Sequence, residues 1–134
     1  FHGMDSSFVD QTRAILTQFD AYKSGQTFWA RYRGMEEHPY FNELIRPVPL
    51  AVAGDIEGYD HDPVAKVFRC SWTEDAGNEH ESEFFLPAEA DDIRIELSPA
   101  SEAYTLEERE NAPGLILKVE AAGEPMEREL LIHY

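Results

Sequence analysis

A chain of 134 residues with 43% hydrophobic and 12% aromatic content can fill one packed core, and it is too apolar for a disordered acidic chain. Its formal net charge of −16 opposes nucleic acid and anionic membranes, which proteins engage through Lys and Arg. No apolar run approaches the ~20 residues of a bilayer span, and no basic-then-apolar leader opens the chain.

The expectation is therefore a single soluble, cytoplasmic domain over residues 1–134, with a helical part at 4–46 and an acidic β part at 47–134. Phe1-His2-Gly3, ahead of Met4, reads as residue left by an expression tag. The lone Cys70 excludes an internal disulfide.

In chain order, Asp5-Ser6-Ser7 offers helix caps. Phe8, Ile15, Leu16, Phe19 and Tyr22, with Thr12 between them, recur at helical spacing, predicting a helix from Ser6 to Lys23 stopped by Gly25. A second helical piece is expected from Phe28 to Arg33, ending at Gly34. A third is expected after His38-Pro39, because Pro suits the first helical position, and it runs to Ile45 ahead of Pro47.

Beyond Pro49 the period changes to alternation. Strands are expected at Leu50–Glu57, Val64–Thr73, Glu81–Leu86, Ile93–Leu97 and Tyr104–Glu108. Gly58 to Pro63 and Asp75 to Asn78 read as turns. Leu115–Glu120 and Met126–Tyr134 read as a terminal hairpin across Ala122-Gly123-Glu124-Pro125. Turns this close together leave no room for crossover helices, so the pairing should be mainly antiparallel. The fold class expected is α+β: an N-terminal helix and one or two short helices packed on a sheet of about five to seven strands.

Charge is unevenly spread. Residues 47–134 hold 21 Asp and Glu against 6 Lys and Arg, whereas residues 1–46 hold 6 against 5. A sheet covered on one side turns its polar residues outward. The predicted outer face then gathers Glu81, Glu83, Glu96, Glu120, Glu127 and Glu129, with Asp91 and Asp92 at its margin. These eight are the candidate partner-binding residues.

Other constellations are weaker. Cys70, between Phe68 and Trp72 on the core face, reads as an inert buried thiol. Asp55 to Asp62 is rich in oxygen ligands but fits no calcium loop, since Tyr59 or Ala65 falls where that loop needs an acid or Gly. No two of His2, His38, His61, His80 and His133 share a helix turn, so no zinc motif is present, although His61 and His80 could meet if they flank adjacent strands. Glu81 and Glu83 have a spacing open to glycoside hydrolysis but nothing to set their environments apart. Phe28 to Arg33 joins rings to positive charge, and Trp29 and Tyr32 are its candidate interface anchors. No metal site, cofactor or catalytic residue is expected.

These features favour an acidic binding module that neutralises a basic protein partner, in the manner of a nuclease immunity or inhibitor protein or a DNA mimic. Homodimer formation is the other association considered, with the terminal strand as a candidate for pairing between chains. The alternatives are a salt-adapted small domain, and a small-ligand or enzymatic domain with a pocket lined by Trp29, Tyr32, Phe68 and Trp72.

Overall fold

A computed structural model describes residues 5–24, 33–87 and 92–134. One long helix, α1 (Asp5–Ala21), is followed by a 3-10 turn at Met35–Glu37 and a short helix, α2 (Pro39–Leu44). Eight strands come next: β1 (Val48–Ala51), β2 (Gly54–Asp62), β3 (Val67–Glu74), β4 (Ser82–Leu86), β5 (Arg94–Ser98), β6 (Tyr104–Glu108), β7 (Leu115–Val119) and β8 (Met126–His133). The expected second helix lies outside the described residues except for its last residue, Arg33, which stands in a turn; Trp29 and Tyr32 are among those outside.

The strands form two four-stranded antiparallel sheets, ordered β1-β4-β7-β6 and β2-β3-β8-β5. The expected antiparallel pairing is present, but one helix-covered sheet is replaced by a sandwich. Alternation alone does not say what covers an apolar face; here each sheet covers the other. Phe68, Cys70 and Trp72 of β3 and Leu130 and Ile132 of β8 face Phe84 and Leu86 of β4 and Leu117 and Val119 of β7 in one buried cluster. The Phe84 ring lies 6.3 Å from that of Phe68 and 5.5 Å from that of Trp72. Burying each of these side chains contributes about 1.5–3 kcal/mol.

Two connections differ from the sequence reading. Leu50–Glu57 is not one strand, because the chain leaves the first sheet after Ala51 and enters the second at Gly54. Ala53, fully buried between them, donates its N–H to Ser82 Oγ at 2.9 Å. Gly54 has φ +144°, and a Cβ there would sit 2.0 Å from the Thr73 carbonyl oxygen, so the crossing needs glycine. The expected β7–β8 hairpin also does not form: β7 pairs with β4 and β6, and β8 with β3 and β5. Gly58 to Asp62, expected as a turn, belongs to β2. The tight turn starts one residue later, where the Asp62 carboxylate accepts the N–H groups of Val64 and Ala65 at 2.9 Å each and Lys66 takes φ 52°.

Helix α1 ends at Ala21. Lys23 adopts φ 53°, while Ser24 N–H reaches the Phe19 carbonyl at 2.8 Å and Lys23 N–H that of Asp20 at 3.0 Å, satisfying the last carbonyls in a Schellman pattern. Lys23 Nζ then donates to the Ile56 carbonyl at 2.8 Å, beside the bulge of β2. The helix rests on α2 and β2 rather than over a sheet face. Leu16 and Asp20 are buried there, whereas Phe8, Ile15 and Tyr22, which recur every seventh residue, are exposed.

Candidate functional site

The predicted acidic residues do not share one surface. Glu96, Glu127 and Glu129 project from the outer face of the β2-β3-β8-β5 sheet, opposite the core-facing Leu97, Arg128 and Leu130. Glu83 projects from the outer face of the other sheet, on the far side of the molecule, in register with Lys118. Glu81 and Glu120 meet at one end of the sandwich, in a recess of about 600 Å³ shared with Asn78, Glu79, His80 and Gly123. Asp92 belongs to the opposite end, and Asp91 lies outside the described residues. A sandwich has two solvent faces, so residues of like parity on strands of different sheets point in opposite directions.

Cations interrupt the acidic faces. Arg94 pairs with Glu96 at 2.7 Å, Arg69 with Asp60 at 3.4 Å and Lys118 with Glu107 at 2.7 Å, all exposed or half-exposed pairs of modest worth. Phe68 and Trp72 are fully buried in the core, and the recess of about 260 Å³ that Trp72 borders is otherwise lined by Glu57, Ser71, Ser98, Glu127, Arg128 and Glu129, all polar or charged. Cys70 is buried beside them, and desolvation pushes its thiol up to about 12.

The end of the sandwich where β2 finishes carries a cavity of about 450 Å³. Helix α2 contributes Asn42 and Glu43, with Ile45 just beyond it. His61 comes from β2, Pro63 and Lys66 from the turn, Pro87 and Asp92 from either side of the β4–β5 connection, and Tyr134 from the residue after β8. His61 and Tyr134 stack with centroids 5.8 Å apart, and His61 Nε2 is hydrogen-bonded to the Tyr134 hydroxyl.

Burial, reinforced by the Arg46 charge, lowers the His61 imidazole from 6.5 to about 4, against opposing effects of Glu43, Asp62 and Asp60. Burial, with Glu43 next, raises the Tyr134 phenol to about 12. Both rings are therefore neutral at physiological pH. His80 lies at the far end of β3 from the His61–Phe68 pair, so the two histidines considered together are at opposite ends of the sandwich.

Three charge pairs among the described residues, two of them buried, escaped the sequence reading. Arg46 meets both oxygens of Asp20, Nη1 to Oδ2 at 2.5 Å and Nη2 to Oδ1 at 2.7 Å, with both side chains almost fully buried. Burial raises the Asp20 carboxyl, and the Arg46 hydrogen bonds pull it back. Arg13 clamps Glu43 in the same bidentate way, at 2.8 and 2.9 Å. Together the two pairs anchor α1 to α2 and to the segment entering β1, and so hold one wall of the cavity.

At the opposite end Glu74, fully buried, accepts the Ala122 N–H at 2.6 Å and the Trp72 indole N–H at 3.3 Å, with Arg128 Nη1 3.6 Å away. Residue parity carried a signal for this pair. Glu74 continues the inward series Phe68, Cys70, Trp72, and Arg128 precedes Leu130 and Ile132. Asp20 and Arg46 carried none, because their meeting depends on how α1 is placed.

The chain is thus an antiparallel β-sandwich domain with a helical N-terminal segment docked on one sheet edge. Residues 46–127 match the model of the glycoside hydrolase family 5 C-terminal domain, and the chain belongs to that family. No curated protein matches it. It is similar to crystal structures of Cryptococcus neoformans sterylglucosidase 1, with 20% identity and a TM-score of 0.47 in one and 21% and 0.46 in another. These alignments cover 66% and 65% of this chain but only 14% and 13% of those chains.

The family match corrects the expectation of an immunity or inhibitor protein or a DNA mimic. The stretch that carries nearly all the acidity is a glycoside-hydrolase-associated β domain. No helix among the described residues is long and apolar enough to cross a membrane.

Proposed function

We propose that this chain acts as a non-catalytic C-terminal β-sandwich module of a glycoside-hydrolysing enzyme, in which another domain performs the bond cleavage. The family match over residues 46–127 carries this reading, because it is to a C-terminal domain and not to a catalytic one. The geometry supports it. Glycoside hydrolysis uses two carboxyl groups flanking the scissile bond, one of them protonated. The acids most withdrawn from solvent are otherwise engaged: Asp20 by Arg46, Glu43 by Arg13 and Glu74 by the Ala122 N–H and Arg128. The other carboxylates named above are exposed, or half-buried in the case of Glu83, and so remain in contact with water.

Two assays test the proposal. The purified chain should release no fluorophore from an aryl β-glucoside above the buffer rate, and enzyme-like turnover would overturn the reading. In a family 5 enzyme carrying a C-terminal domain of this kind, exchange of that domain for this chain should preserve more activity than its deletion. Equal loss in both would count against a module of this type.

A further inference from the structure

We propose that Met126 is an oxidation site: a hydroperoxide converts its thioether to the sulfoxide, and the buried Arg128 guanidinium then holds the new oxygen.

Access comes first. Met126 opens β8 directly after residues 122–125, all exposed, and is itself half-buried, so a dissolved oxidant reaches it. Met35, in the 3-10 turn, is 5% exposed and is shielded.

The surroundings of the sulfur are unusual in polarity. Met126 and Arg128 lie two apart on one strand and point the same way, and Arg128 Nη1 donates to Met126 Sδ at 3.7 Å. A thioether is a weak acceptor, and the guanidinium has little else. Its side chain is 5% exposed, and Nε and Nη2 are buried without a hydrogen-bond partner among the described residues. Glu74 Oε1 stands 3.6 Å from Nη1, too far for a hydrogen bond, while the two Glu74 oxygens already accept the Trp72 indole N–H and the Ala122 N–H. The Trp72 ring offers its face, with Arg128 Cζ 5.9 Å from the centroid. A buried charged donor left this short of acceptors costs stability.

Oxidation supplies the missing acceptor. A sulfur lone pair attacks one oxygen of hydrogen peroxide, the O–O bond breaks and the S–O bond forms. The thioether loses two electrons, and the peroxide gains them and leaves as water. An oxygen bonded to Sδ can stand about 2.8 Å from Nη1 across the present 3.7 Å separation, the length of a charge-assisted hydrogen bond. Sulfoxide formation in packed sites is usually disruptive, because it sets a polar oxygen against apolar surface. Here a guanidinium receives it. Methionine sulfoxide is enzymatically reducible, so the modification is reversible.

The test uses the full chain carrying Met4→Leu, which leaves Met35 and Met126 as its methionines, treated with dilute hydrogen peroxide. Peptide mass mapping should find Met126 oxidised at least about tenfold faster than Met35, whose burial makes it wait for local opening. The chain oxidised at Met126 should melt no lower than the unmodified one, and the side-chain N–H resonances of Arg128 should move. Met126→Leu in the same background keeps an apolar side chain of similar volume without the sulfur, and peroxide should leave its Arg128 resonances in place.

Oxidation of Met35 as fast as Met126 would overturn the site. A lowered melting temperature, or Arg128 resonances that do not respond, would overturn the role of the guanidinium. Equal movement of those resonances in Met126→Leu would do the same, since the response would then arise elsewhere.

Discussion

Acidification should weaken the fold through one identifiable group, His61. Its imidazole titrates near 6.5 when the chain is unfolded and at about 4 in the folded protein, because burial and the nearby Arg46 charge disfavour the imidazolium. The folded pKa is depressed, so at neutral pH neither state binds this proton and no penalty exists. As pH falls below 6.5 the unfolded chain gains a proton that the folded chain refuses until about 4, and stability is lost across that window. Linkage with these two values gives a loss of about 2 kcal/mol by pH 5, roughly 6–8 °C in melting temperature for a domain of this size.

The many carboxylates contribute a pH dependence of their own, so the informative quantity is a difference. Urea unfolding of the parent chain and of His61→Gln should be compared at pH 7.5 and pH 5. The variant loses the bond to Tyr134 and is expected to be the less stable protein at neutral pH. On acidification the gap should close by about 2 kcal/mol, because Gln takes up no proton. Parallel stability curves for the two proteins across this window would refute the reasoning and would mean that His61 is solvated in the folded state.

Two further outcomes are expected. Asp20→Leu or Arg46→Met alone strands a buried charge and should cost about 3–5 kcal/mol, while the two together should cost clearly less than the sum; additive losses measured by urea unfolding would show that the pair is not coupled. Cys70 should react with a disulfide reagent only as fast as the protein unfolds, because its thiol is buried and raised to about 12; rapid labelling of the native chain would contradict its placement in the core.

Local periodicity made most of the strands readable. Tyr104–Glu108 is observed with the limits expected, and β3, β4, β5, β7 and β8 fall within a few residues of theirs. Alternation over Phe68, Cys70 and Trp72 correctly marks the core face of β3, because side-chain direction along a strand is fixed by the backbone pleat. Pro39 opens α2 as expected. The expected end of α1 at Lys23 lies two residues from the observed Ala21, but the means of termination was not legible: a left-handed Lys23 whose Nζ bonds the Ile56 carbonyl depends on a strand more than thirty residues away. Equally hidden was the break in Leu50–Glu57, where the chain changes sheets inside a run that alternates acceptably as one strand.

The sequence alone determined that this is a folded, antiparallel, strand-rich chain with an N-terminal helix and an acidic β part, since these follow from composition and from contacts between near neighbours. Tertiary structure decided how the strands are partitioned into two sheets, and with that which carboxylates share a face. It also decided where His61, Glu43 and Tyr134 meet. Strand pairing is a long-range choice made by burying one apolar face against another, and parity in the sequence labels the faces without saying which face meets which.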